Sequence, residues 1–242
     1  KGFITAAGGC YYDIESTWDE EIFYQGNEAL EYLNYKDYVD ELEKRINHIE
    51  SLRDSHLSAL KELLEADNSN CFGLDFLVAA ALKRSWSLCS GFCILVRSSN
   101  YQCSAVLVRM QLDSAMRLYA AFIVEKPHDF TIRVLKGERI SKMFDRHGNK
   151  MTDKFLRESL SKEYEWVSRV YEETSGFVHL SNKHIYSIFT ENSEDSFNLI
   201  ISATDEHILD EHWIEMADAF LACTDVLFEY FRDCIFTKQN PE

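Results

Sequence analysis

Apolar residues recur every three or four positions through the first third of the chain, and charged residues occupy the positions between them. The recurrence runs from Tyr35 to Leu64 with a single longer step. This spacing places the apolar side chains on one face of a helix. The sequence therefore predicts a long amphipathic helix over about 28–66, ended by the polar turn at 67–70.

Two strongly apolar segments follow and predict buried helices. The first covers about 72–98 and is broken by Ser-Ser-Asn at 98–100. The second covers 101–126 and stops before Pro127, because the residue before a proline is pushed out of the helical region. Short helical pieces are expected in 128–146. Thr152 or Asp153 can then cap a further long helix that reaches about residue 174.

The period changes to two near the end of the chain. Apolar residues alternate with polar ones on both sides of the polar turn Glu-Asn-Ser-Glu-Asp-Ser, which predicts a β-hairpin at about 184–203. A last amphipathic helix follows, capped by Asp205 or Asp210. The predicted fold is mainly α, a helical bundle of about six helices with one small inserted β-hairpin. We expect an irregular N-terminal arm at 1–18 and a single helical domain over 19–242.

Composition narrows the functional classes. The formal net charge is −16, which repels nucleic acid non-specifically, although a local basic cleft is compatible with it because screening acts over roughly 8 Å.

The seven cysteines include no Cys-x-x-Cys pair, which is typical of reduced thiols in a cytoplasmic protein. We expect no signal peptide, and charges interrupt the most apolar stretch of the sequence, 72–96. That stretch therefore predicts a core helix and no membrane span.

One polar row lies on the otherwise apolar segment 101–126. Arg109, Asp113 and Arg117 are spaced four apart and share a helix face. Buried ions are costly unless they are paired, so this row must meet partner charges or a wet cavity. Either it fixes the register of the bundle as an ion pair, or it holds Arg109 in a cleft where the guanidinium binds an anion.

A second row consists of Tyr171, Ser175 and His179. These residues line one face if helical geometry persists past Gly176, and together they offer a general acid–base group with hydrogen-bonding partners. The alternative is a polar junction that ties the helix end to the following strand. Just beyond this row, Lys183 and His184 are further candidate binding residues.

Other signals are weaker. His207 and His212, with the acidic residues around them, form a loose cluster of metal-ligand types. Their spacing of five does not place them on one helix face, and acidic residues are expected at a helix start. The sequence therefore predicts neither a metal nor another cofactor. It contains no GxSxG, phosphate-binding loop, GxGxxG or HExxH motif.

The segments LVRMQLDSAMRLYAAF at 107–122 and YEETSGFVHLS at 171–181 resemble a group of uncharacterised bacterial helical proteins related to the HEPN superfamily. The resemblance implies a helical bundle, a homodimer and metal-independent RNA cleavage in a toxin–antitoxin or antiphage defence system. It makes His179 the general acid or base and Arg109 the phosphate-stabilising group. Tyr171 and Ser175 would orient them, and Asp113 completes the matching positions.

The chain departs from the usual Arg-x4-6-His motif of that superfamily. Arg169 precedes His179 by nine intervening residues, and no other Arg-His pair has the required spacing. Two hypotheses follow. The chain is either a HEPN-like endoribonuclease that needs no metal, or a non-catalytic interaction and scaffolding module that binds a partner protein or a small anionic ligand.

Overall fold

The predicted mainly α-helical fold is confirmed by a computed structural model, which describes residues 2–5, 11–14, 35–193 and 196–240. The rest of the arm expected at 1–18, and the start of the helix expected from 28, lie outside the described residues. The helices of the described part are α1 (Tyr35–Glu65), α2 (Gly73–Arg97), α3 (Tyr101–Ile123), α4 (Pro127–Leu135), α5 (Asp153–Leu160), α6 (Trp166–Val178), α7 (Asn182–Tyr186) and α8 (Asp210–Gln239).

Helix α3 is the centre of the bundle and packs against α2, α5, α6 and α8. Its buried face carries large apolar residues such as Leu112 and Met116 beside small ones such as Ala115 and Ala120, none of them exposed to solvent. Small side chains let neighbouring helices approach closely, and the large ones fill the space between them. This central position brings any polar group on α3 near several other helices.

Both ends of α3 are held by side chains. Asn100 accepts a hydrogen bond from the backbone N–H of Cys103 at 3.1 Å, which satisfies one of the free donors of the first turn. At the other end, the guanidinium of Arg146 donates to the carbonyl oxygens of Ile123 at 3.1 Å and Val124 at 3.3 Å. The helix therefore stops at Ile123, slightly earlier than the position predicted from Pro127.

The single helix predicted from residue 153 to about 174 is wrong, because the chain breaks there into α5 and α6. Thr152 caps α5, and its hydroxyl accepts from the N–H of Phe155 at 3.3 Å. Across the break, the hydroxyls of Ser161 and Ser168 lie 2.7 Å apart. Apolar residues on both sides are fully buried, so the apolar period continues through the break and conceals it.

The strands are β1 (Gly2–Thr5), β2 (Tyr11–Ile14), β3 (Phe189–Ser193) and β4 (Ser196–Leu199), and they form a sheet of order β2-β1-β4-β3. Strands β3 and β4 pair antiparallel within the segment for which the sequence predicts a hairpin. The start of that predicted segment is helical, because α7 occupies 182–186.

Four of the six described cysteines are buried, and all six are free thiols. Burial raises the pKa of Cys89 and of Cys93 to about 12, so both remain protonated and unreactive.

Among the described residues, no helix has both the length and the apolar character that crossing a bilayer requires.

A chain of buried polar side chains crosses the core from α1 to α8. The ring of His56 lies 2.7 Å from the carbonyl oxygen of Leu52 through Nδ1 and 2.9 Å from Ser85 Oγ through Nε2. Gln111 Nε2 donates to Ser85 Oγ at 2.7 Å and to Thr224 Oγ1 at 2.9 Å. A carbonyl oxygen only accepts, so Nδ1 carries a proton. Burial disfavours the charged form of this ring, and Nε2 of the neutral ring accepts from the Ser85 hydroxyl.

We expect this histidine to make the stability of the fold depend on pH. Burial lowers the pKa of His56 below its ordinary value of 6.5, so the unfolded chain binds a proton more readily than the folded one. Its contribution is fully present above pH 6.5 and is lost as the pH falls towards the lowered pKa, by at most about 1.4 kcal/mol per pH unit. Urea unfolding between pH 8 and pH 5 measures it.

The control for this experiment is His56→Gln, which keeps a hydrogen-bonding group and removes the titration. The free energy of unfolding of this variant should change less than that of the wild type over the same pH range. Equal slopes for the two proteins would mean that His56 does not carry the effect.

Candidate functional site

A surface cavity of about 260 Å³ lies between α2, α3, α5 and α6. It brings together residues from both polar rows that the sequence singles out, although α3 and α6 are far apart along the chain. The lining residues are Arg84, Arg109, Met110, Asp113, Asp153, Tyr171, Ser175, Val178 and His179. All five positions on which the HEPN resemblance rests therefore surround one cavity.

Arg109 is held in this cavity by an aromatic ring. Its guanidinium carbon lies 3.9 Å from the centre of the Tyr171 ring, and its side chain is only 12% exposed. The nearest carboxylate oxygen, Oδ1 of Asp113, is 3.9 Å from Nη1, which is beyond hydrogen-bonding distance. Within the described residues, nothing accepts a hydrogen bond from this guanidinium. Its N–H groups are therefore available to a ligand.

Asp113 is bound instead by Arg117. Nη2 of Arg117 lies 3.1 Å from Oδ1 of Asp113 and 2.5 Å from Oδ1 of Asp153, so one guanidinium bridges both carboxylates. Arg117 does not line the cavity itself. The sequence left two alternatives for the row on α3, an ion pair or an arginine held in a cleft. Arg117 forms the ion pair, and Arg109 occupies the cleft.

Tyr171 contacts a second cation. The guanidinium carbon of Arg157 lies 5.2 Å from the ring centre, and its Nη1 also donates to Glu172 at 3.1 Å. Such contacts stabilise a cation by about 0.5–2 kcal/mol without using its N–H groups. Tyr171 therefore holds Arg109 in place and leaves its donors free.

Helix α6 continues past Gly176, as the second row requires, and ends at Val178. His179 follows in extended conformation with φ −118° and ψ 144°, and its side chain is exposed. The hydroxyl of Ser175 donates to the carbonyl oxygen of Tyr171 at 2.6 Å. Ser175 can therefore accept a hydrogen bond from a ligand, but its proton is already used. No described residue forms a hydrogen bond with the ring of His179.

Arg84 on α2 is a site residue that the sequence analysis missed. Its Nε donates to Ser114 Oγ at 2.9 Å, and no carboxylate of the described residues lies within ion-pairing distance of it. In the sequence, Arg84 is one of the charged residues that interrupt the apolar stretch 72–96. Arg84 is exposed on α2, so the cost of burying an unpaired cation, which marks Arg109, does not single it out.

Lys183 and His184, the other predicted binding residues, do not line this cavity. The ammonium group of Lys183 pairs with Glu173 and lies 5.3 Å from the centre of the Phe177 ring. Nδ1 of His184 accepts from the backbone N–H of Ser181 at 3.2 Å. Both side chains therefore stabilise the junction between α6 and α7.

The loose histidine cluster near α8 has other bonding partners. Nε2 of His207 donates to the carbonyl oxygen of Ser187 at 2.7 Å. Asp205, one of two predicted caps for α8, instead accepts from the N–H of Gln102 at 3.1 Å and so holds the start of α3. In the described part of the chain, no three histidine, cysteine or acidic side chains are grouped so that they could hold a metal ion.

The fold and the cavity place the chain in the class of mainly α-helical proteins with a surface cavity lined by guanidinium groups. No family model matches the chain, and no curated protein or solved structure is significantly similar to it. Its function must therefore be inferred from the chemistry of the cavity.

Proposed function

We propose that the cavity binds a phosphate group, and that the chain is a HEPN-related effector that cleaves RNA without a metal ion. The observation that carries the proposal is that Arg84 and Arg109 line one cavity with His179, and that no carboxylate of the described residues accepts a hydrogen bond from either guanidinium. Guanidinium groups match phosphate oxygens in shape and charge. Imidazole is the side chain used most often for proton transfer near neutral pH.

The reaction that these groups support is attack of a ribose 2′-hydroxyl on the neighbouring phosphorus. The 2′-oxygen loses its proton and forms a bond to phosphorus, while the bond from phosphorus to the 5′-oxygen breaks and that oxygen takes up a proton. The products are a 2′,3′-cyclic phosphate and a 5′-hydroxyl. His179 transfers one of these protons and solvent water transfers the other, and Arg84 and Arg109 stabilise the charge on the phosphate oxygens.

The overall charge limits how such a site can be used. At −16, the surface as a whole repels a polyanion, and screening over roughly 8 Å confines the attraction to the immediate neighbourhood of the cavity. A few phosphates of a flexible single strand can reach the cavity while the rest of the strand stays in solvent. We therefore expect few phosphate contacts and a shallow dependence of binding on salt.

Arg109→Met tests the proposal directly. The wild-type protein should cleave a short labelled single-stranded RNA in the presence of EDTA and leave cyclic phosphate ends. The variant should cleave about 10²–10³-fold more slowly, because a donor to the charge that develops on phosphate is lost. Gel electrophoresis of the products with end-group analysis gives both rate and chemistry.

The matched control is Arg45→Met. Arg45 is also partly buried, pairs with Asp218 at 2.6 Å and does not line the cavity, so its removal changes the net charge equally. It should cleave RNA at the wild-type rate. Equal cleavage by wild type and Arg109→Met, or the same loss in both variants, would contradict a phosphate site at Arg109.

The alternative function is a non-catalytic module that binds a small anionic ligand. The observation that favours it is the free ring of His179, because the Ser175 hydroxyl donates to a backbone carbonyl and no described residue orients the imidazole. This alternative predicts that RNA with 2′-O-methyl groups, which cannot be cleaved, binds in an Arg109-dependent way while unmodified RNA gives no products. The cleavage assay therefore separates the two functions.

The HEPN resemblance adds a biological setting to the proposal. It supports an effector of a bacterial toxin–antitoxin or antiphage system that acts in the cytoplasm as a homodimer. In such a system, RNA of the host or the phage would be the substrate.

A further inference from the structure

Two carboxylates line the cavity for which we propose a phosphate ligand. Asp113 and Asp153 balance the charges of Arg84 and Arg109 among the lining residues, which leaves no net attraction for an anion. A like charge a few ångströms from a bound phosphate opposes binding strongly at the effective dielectric of a protein surface. Something outside the lining must therefore neutralise these acids.

Arg117 is placed to do so. It is not among the lining residues, its side chain is 27% exposed, and its Nη2 atom is 3.1 Å from Asp113 and 2.5 Å from Asp153. The same oxygen of Asp113 lies 3.9 Å from Arg109. Arg117 thus holds Asp113 more closely than Arg109 does, and it adds the positive charge that the lining lacks.

We propose that Arg117 is a positioning residue that enables the cavity to bind an anion. It binds both carboxylates, and so it leaves the guanidinium of Arg109 on the Tyr171 ring with its donors free. This inference rests on the proposed phosphate site. Without Arg117, the nearest cation to Asp113 among the described residues is Arg109, which would close onto the carboxylate and exclude the ligand.

The first test is the affinity of Arg117→Met for a fluorescent 2′-O-methyl RNA, measured by fluorescence anisotropy. We expect its dissociation constant to rise by about tenfold or more, although Arg117 does not line the cavity. Arg117→Lys should recover part of the affinity, because the ammonium group keeps the charge but cannot bridge both acids as a planar guanidinium does.

Substitution of Asp113 distinguishes an electrostatic effect on RNA affinity from general damage to the fold. Asp113→Asn in the wild-type background should bind the RNA several-fold more tightly, because a repelling charge is removed while Arg117 still holds Asp153. Damage to the fold cannot produce such a gain. In the double variant Asp113→Asn/Arg117→Met, binding should return close to that of the wild type, because an amide does not compete for Arg109.

The outcomes distinguish this inference from the proposal beneath it. Weak binding by Arg109→Met with wild-type binding by Arg117→Met would overturn the positioning role and leave the phosphate site intact. Binding that neither substitution changes would overturn the phosphate site itself. If Arg117→Met does not fold, Arg117→Lys decides, and an affinity of that variant equal to the wild type would refute the inference.

Discussion

His179→Ala should bind RNA as the wild type does but cleave it about 10²–10⁴-fold more slowly, the range that a general acid or base contributes. His179 is exposed and follows the end of α6, and no described residue forms a hydrogen bond with its ring. Its removal should therefore cost the fold little. Among the residues that line the cavity in the described part of the chain, it carries the only imidazole.

Two measurements on the same preparations check this prediction. Cleavage of labelled RNA in EDTA gives the rate, and anisotropy with 2′-O-methyl RNA gives the dissociation constant. His48→Ala is the control, because His48 is an exposed histidine on α1 that does not line the cavity. A wild-type rate in His179→Ala would show that another group transfers the proton or that a contaminating nuclease cuts the RNA.

Comparison of His179→Ala with Arg109→Met separates the role of the imidazole from that of the guanidinium. Loss of a guanidinium that contacts phosphate should weaken binding and cleavage together, whereas loss of the imidazole should affect cleavage alone. A protein that only binds an anion would show the first effect without any cleavage to lose. The two variants thus distinguish a catalytic cavity from a binding cavity.

Helical spacing was sufficient to predict most of this cavity. Residues four apart on a helix share a face, which grouped Arg109 with Asp113 on α3 and Tyr171 with Ser175 on α6. Charged groups on a buried helix must meet partners or water, which marked the row on α3 as a site. The sequence left open whether the two rows meet, because that depends on how α3 and α6 pack. In the structure, every residue of the two rows except Arg117 lines one cavity.

The sequence did not reveal that Arg109 and Arg117 have different roles. Arg109 and Arg117 each lie four residues from Asp113, so the spacing allows either guanidinium to pair with its carboxylate. The difference comes from Asp153, which lies on α5 and draws Arg117 towards it, and from Tyr171, which holds Arg109. Both are contacts between helices, and no local pattern encodes them.

Local hydrogen bonds explain the remaining differences. Lys183 and His184 lie only a few residues beyond His179, but the first turn of α7 uses His184 to satisfy a backbone N–H, and Glu173 pairs with Lys183. The break between α5 and α6 contains neither proline nor glycine, and a bond between Ser161 and Ser168 closes it. Serine is common in helices and turns alike, so its presence did not reveal the break.

The substitution with the largest expected effect on stability is Lys238→Met, near the end of α8. The ammonium group of Lys238 lies 2.9 Å from Oδ2 of Asp75 and donates to the carbonyl oxygen of Leu63 at 2.7 Å. The same carboxylate oxygen accepts from the N–H of Phe72 at 2.8 Å at the start of α2. One buried ion pair therefore joins the end of α1, the start of α2 and the end of α8.

Removal of the Lys238 ammonium group leaves the carboxylate of Asp75 charged and unpaired in the core. The side chains of Lys238 and Asp75 are only 5% and 7% exposed, so Lys238→Met should lower the free energy of unfolding by about 3–5 kcal/mol. Urea unfolding measures this loss. Lys61→Met is the control, because Lys61 pairs with Glu65 at 3.9 Å where both side chains are largely exposed, and such pairs contribute at most about 1 kcal/mol.

The double variant Asp75→Leu/Lys238→Met tests the cause. If the cost arises from an unpaired buried carboxylate, replacing both partners by apolar side chains should recover most of the stability, since buried ion pairs often exchange for apolar packing with little net change. If the double variant is as unstable as Lys238→Met alone, the bonds to Leu63 and Phe72 are what hold these helix ends together. A Lys238→Met protein as stable as the wild type would show that this ion pair does not contribute to the fold.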